Sequence, residues 1–208
     1  MNRRFPGPMF RPGLLVSALL LAACSSTPVP EDSFYRLGNL PEPARVYPQP
    51  AIPGRVMIEV PRAAGIRRQR GILYSDDPDH VEVRRYYYHF WEEPPPQMLQ
   101  RRMIERLRLA QAAESVTERL ASDVNYRLRS RIREFDRRVD GDQATAVIDI
   151  DVIVFTGYTE GQAMFRESYR EEVVARSREM VDTAAAFSSA MDRVIDRLIE
   201  DLDQFAES

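Results

Sequence analysis

Phe187, Met191, Val194, Leu198, Leu202 and Phe205 stand 4, 3, 4, 4 and 3 residues apart. That spacing puts them on one stripe of a helix about five turns long, with Asp182 or Thr183 as its cap. The stripe predicts packing on a sheet. The opposite face is acidic (Asp192, Asp196, Glu200, Asp201, Asp203), which anionic lipid would repel. From Tyr126 the period is two instead. Tyr126, Leu128 and Ile132 alternate with Arg127, Arg129, Arg131 and Arg133, which predicts a half-buried strand with arginines on its wet side. Glu134-Phe135 interrupts the alternation as a bulge would, and Asp140-Gly141 signals a hairpin turn. Ala146, Ile148, Ile150, Val152 and Val154 share one face, with Asp149 and Asp151 on the other. After a turn at residues 157–161, residues 165–175 complete an antiparallel meander.

The upstream half reads as strands, then a helix. Residues 33–38 and 55–60 are strand candidates, the second with Val56, Ile58 and Val60 on one side and Pro61 as its end. Ile72, Leu73 and Tyr74 lead through the turn at 75–79 into an aromatic strand over 81–91, a hairpin pattern. Pro94-Pro95-Pro96 suits the first turn of a helix, and Leu99, Met103, Leu107 and Ala110 follow at helical spacing. Ser115 to Ala121 predicts a second short helix, with Ser115 as cap and Glu118 three residues on. Trp91, the only tryptophan, closes the aromatic strand and is expected to pack the helix after it. The fold class is therefore α+β: a mostly antiparallel sheet with helices packed on one face.

The first segment belongs to no fold. Arg3, Arg4 and Arg11 precede a ten-residue apolar run over 14–23, too short for the roughly 17–25 residues of a spanning helix. A basic lead, a short apolar stretch and small residues at the cut describe a secretory signal peptide. Leu21-Ala22-Ala23-Cys24 resembles the lipobox of bacterial lipoproteins. The resemblance implies a signal peptide over 1–23, cleavage before Cys24 and lipidation of Cys24. Residues 24–32 then form a polar, Pro-containing tether to a periplasmic domain over 33–208. Stable anchoring takes more than one acyl chain, at about 0.8 kcal/mol per buried methylene. Ser25 after the modified cysteine resembles lipoproteins sent to the outer membrane, whereas the inner membrane's periplasmic side is the alternative.

Composition narrows the chemistry. Cys24 is the only cysteine, so the chain has no internal disulfide and no cysteine-based metal cluster. Every one of its 29 basic residues is arginine. Without the three in residues 1–23, 26 bases face 32 acids, a mildly acidic body unlike a nucleic-acid binder, which must neutralise phosphates. No glycine pattern fits a phosphate loop, and no Gly-x-Ser-x-Gly or His-Glu-x-x-His occurs. With His80 and His89 alone, any Ser–His–acid site would have to be built by the fold. Asp76, Asp77, Asp79 and His80 lack the spaced ligands of a calcium loop and read as a solvated turn. No catalytic, cofactor or metal residue is expected. Arg67, Arg68 and Arg70, with the Arg127, Arg129 and Arg131 face, are the candidates for contact with phosphate headgroups or an acidic partner.

From Phe34-Tyr35-Arg36-Leu37 to the last helix the chain resembles the ABC-type transport auxiliary lipoproteins, the PqiC-like family. The aromatic strand ending in Trp91-Glu92-Glu93-Pro94-Pro95, then Met98-Leu99, carries most of the likeness. Tyr126-Arg127-Leu128 and Ile132-Arg133-Glu134-Phe135 look like the family's central strand. The resemblance implies no enzyme. It implies an outer-membrane-tethered periplasmic subunit that docks a mammalian-cell-entry (MCE) protein of an ABC-type lipid transporter, with self-assembly into a homo-oligomer as an extension. A free-standing lipid- or ligand-binding lipoprotein is the alternative, and it would need an apolar pocket in the monomer.

Overall fold

The structure is a computed structural model that describes residues 29–119, 121–157 and 162–206. The signal peptide and Cys24 lie outside the described residues. The elements below belong to the unit that begins at Asp32.

The sheet is organised by one long strand, β7 (Tyr126–Asp140). A two-residue turn, with Gly141 at φ +54°, returns the chain as β8 (Gln143–Thr156), which pairs with β7 along its whole length. β9 (Ala163–Val174) adds antiparallel to β8, so the expected meander is present. The register shifts between Ile132 and Glu134, where two steps on β7 face one on β8. That is the bulge the broken alternation marks.

The other edge of β7 is shared by three shorter strands, all parallel to it: β2 (Ile52–Ile58), β3 (Arg62–Ala63) and β4 (Gly71–Ser75). β4 forms the expected antiparallel hairpin with β5 (Arg84–Trp91). β1 (Ser33–Tyr35) adds parallel to β5, and β6 (Ala113–Thr117) adds parallel to β2. The sheet is thus mixed, which corrects the mostly antiparallel expectation. The chain crosses through a helix between β2 and β7, and such a crossover returns it in the same direction.

Three local expectations also change. Residues 113–117 form β6, not a helix start, and β6 is held by pairing with β2. β2 ends at Ile58, leaving Val60 about half exposed, because Pro61 has no N–H for a ladder. The final helix is longer than its stripe suggests.

That helix, α2 (Met180–Ala206), has 27 residues. It starts before Asp182, so Asp182 and Thr183 are not its cap. The Ser177 hydroxyl accepts the Glu179 N–H at 3.1 Å and donates to Asp182 Oδ2 at 2.6 Å. The bond from Ser177 first, then Arg176, holds the Asp182 carboxyl below the usual carboxylate range. The other helix, α1 (Pro95–Leu109), starts at the three prolines as expected.

α2 packs on β8 and β9, and α1 packs beside α2. Ala146, Ile148, Ile150, Val152 and Val154 are all buried beneath them. Trp91 is buried, and the rings it meets are Phe135 of β7 and Phe187 of α2, at 5.7 and 5.2 Å edge-on, not rings of the helix that follows it. Phe135 and Phe187 stack at 4.6 Å. Among the described residues no helix is long and apolar enough to cross a membrane.

Candidate partner- and lipid-contact surface

The face of the sheet away from the helices carries the alternate residues of β7, β8 and β9. Its arginines divide into three kinds. Arg127 and Arg129 share Glu59, at 2.9 and 3.1 Å, and lie over the Phe155 ring at 5.6 and 5.1 Å. Arg127 is buried, which corrects the expectation that the whole row is wet. Phe155 and Glu59 cover it, and neither lies near it in sequence.

The second kind forms a charge lattice. Arg133 donates to Asp149 at 2.7 Å and reaches Asp151 at 3.3 Å. Arg138 donates to Glu134 at 2.8 Å. Arg170 bridges Glu134, Asp149 and Glu172. Each of these charges is already matched by a carboxylate on its own strand or on another strand of the meander.

The third kind has no match. Arg131 is exposed and makes no ion pair or hydrogen bond among the described residues. The parallel register sets it directly opposite Arg62 of β3. One row along, Arg129, Ile153 and Arg166 are aligned across β7, β8 and β9. Arg62 and Arg166 are likewise exposed and have no ion pair among the described residues. These side chains, with Asp151 and Glu167, line a groove of about 420 Å³.

The basic loop over 67–70 separates rather than acting as a patch. Arg67 donates to Asp136, which is buried on β7. Burial pushes the Asp136 carboxyl above its usual range, and Arg67 only partly offsets it. Arg70 lies 5.3 Å from the Phe34 ring. Arg68, on the short 3-10 turn Gly65–Arg68, is exposed and makes no ion pair among the described residues. The turn after β4 is closed by Asp77, which accepts the Val81 and Glu82 N–H groups at 2.7 and 3.1 Å. Val81 first, then Glu82, holds its carboxyl below the usual range. His80 bridges Ser75 Oγ at 3.1 Å and Asp140 at 3.5 Å. The Ser75 side chain is 2% exposed, so this Ser–His–Asp trio has no nucleophile open to a substrate and ties two turns together instead.

Sequence reasoning missed the clamp between the helices. Arg102 grips Asp192 through Nε and Nη2 at 2.7 and 2.8 Å, and Arg106 grips Asp196 at 2.6 Å twice. The same guanidinium groups donate to the Gly38, Asn39 and Pro41 carbonyls. Gly38 N–H donates to Ser188 Oγ at 2.8 Å. The segment leading in from β1 is therefore bolted across both helices. Asp192 and Asp196, expected on a polar face turned to water, are half of that bolt. The available signal was the four-residue spacing shared by the Arg and Asp pairs, which repeats once per helical turn.

The family model for the ABC-type transport auxiliary lipoprotein component matches residues 35–198. The chain belongs to that family. Its members are lipoprotein components of transport systems and not an enzyme family, which corresponds to a membrane-associated periplasmic location. The fold agrees with a crystal structure of a protein from Xanthomonas campestris. The TM-score is 0.72 at 17% identity, covering 84% of this chain and 97% of that one. An uncharacterised protein of known structure follows with a TM-score of 0.65 at 16% identity, covering 83% and 99%. No curated protein matches the chain.

Proposed function

We propose that the chain is the outer-membrane-anchored periplasmic lipoprotein of an MCE/ABC-type lipid transport system, and that it docks the transporter assembly to the membrane. The family match over 35–198 carries this reading, and the lipobox ending at Cys24 supplies its anchor. Docking at a fixed distance needs a rigid body on a short tether. Nine residue steps from Cys24 to Ser33 reach at most about 32 Å. The clamp then passes any pull on the tether to both helices. An anchored module also meets its partner at raised local concentration. A free-standing lipid carrier is the less favoured reading. The space between sheet and helices is filled by Trp91, Phe135 and Phe187, and the groove on the outer face is lined by charges.

Affinity purification of the acylated full chain from detergent-solubilised membranes tests the proposal. An MCE-domain protein with its permease and ATPase is the expected co-purifying set. Recovery of the chain without any of them after in-cell crosslinking would overturn it.

A further inference from the structure

We infer that the groove across β3, β7, β8 and β9 is a binding site for a phosphate-class oxyanion, held by Arg62, Arg131 and Arg166. The register makes Arg62 and Arg131 direct neighbours on adjacent strands. Like charges so placed destabilise a sheet unless an opposite charge lies between them. Everywhere else on this face that opposite charge is supplied from within. Arg133, Arg138 and Arg170 each have a carboxylate at 2.7–2.8 Å. Arg62, Arg131 and Arg166 have none among the described residues.

The acids that line the groove do not fill this role. The register sets Asp151 opposite Arg131 on β8, but its carboxylate is engaged by Arg133 at 3.3 Å and by the Ser168 hydroxyl at 2.8 Å. Glu167 follows Arg166 on a strand, so its side chain starts toward the opposite face. Arg62, Arg131 and Arg166, with no carboxylate partner among the described residues, leave the groove positive on a body that is otherwise acidic. Guanidinium forks bind oxyanions through paired N–H donors. Three forks from different strands suit a tetrahedral anion better than a planar carboxylate, which offers two oxygens. A volume of about 420 Å³ leaves room for a phosphate together with its substituent.

The anion chemistry stands on this geometry alone. Only the choice of a lipid headgroup as its source rests on the transport reading. Calorimetric titration of the acylated full chain in neutral detergent separates the cases. Its probes are inorganic phosphate, glycerol 3-phosphate, dihexanoyl phosphatidic acid and, as control, dihexanoylglycerol. The phosphorylated probes should bind, more weakly as salt rises, and the control should not. Arg62→Gln and Arg131→Gln should each weaken binding roughly tenfold or more. Neither residue makes an ion pair among the described residues, and each substitution relieves the Arg62–Arg131 repulsion, so the thermal transition should hold or rise. Tighter binding of the lipid than of inorganic phosphate identifies a headgroup site, and equal binding identifies a free-phosphate site. No binding of any phosphorylated probe, or binding that both variants retain, overturns the inference. Loss of the MCE partner with phosphate binding intact would instead count against the docking reading alone.

Discussion

Arg127 and Arg131 lie on the same face of one strand, yet one is buried against Glu59 and Phe155 and the other is open to water. Residue type does not separate them, but the neighbouring strand does: Glu59 follows the end of β2, whereas Arg62 of β3 stands beside Arg131. The same dependence on partners governs Arg102 and Asp192. A buried charge pair is costly to break because the survivor keeps its charge without a partner. Arg102→Met is therefore expected to lower stability by about 3–5 kcal/mol, read from the denaturant midpoint. Arg102→Met with Asp192→Leu should recover much of that loss. A double variant as unstable as the single one would show that packing, not the pair, sets the effect.

At the scale of elements, β7 explains most of the architecture. A long strand with one edge given wholly to β8 can still accept several short strands on the other. β2 is fastened there by Asn125, whose side chain accepts the Arg55 N–H at 2.8 Å and whose own N–H donates to the Arg55 carbonyl. Gly54 sits against it at φ +112°, and a Cβ there would come within 2.5 Å of Asn125 Oδ1. Gly54→Ala should therefore cost more than about 1 kcal/mol. It should also speed hydrogen exchange at the Arg55 amide, while β8–β9 amides keep their protection. Unchanged exchange at Arg55 would show that the lock does not hold this edge.

On the scale of the whole molecule, the proposed function gives the two ends of the chain different work. The body beyond Asp32 is stapled by buried rings and by arginine clamps, and in the proposed reading the residues ahead of it supply the address. Cys24→Ser should abolish labelling by radioactive palmitate and remove the protein from the outer-membrane fraction. A Cys24→Ser protein that still sediments there would show that the body binds the membrane without acyl chains.

The amphipathic last helix, the proline-started first helix and the β7–β9 meander were all legible along the chain. Each is a local pattern, and period, punctuation and residue type are properties of adjacent positions. The bulge near Glu134 could be read for the same reason. The parallel strands on the far edge of β7 could not be read, because a period of two marks a strand without naming its partner. Ser115 to Thr117 carried a helix signal that lost to pairing with β2. The fate of each arginine was likewise decided in three dimensions. Charge is written in the sequence, but whether a guanidinium is buried, matched or left facing another depends on which strands the fold lays side by side.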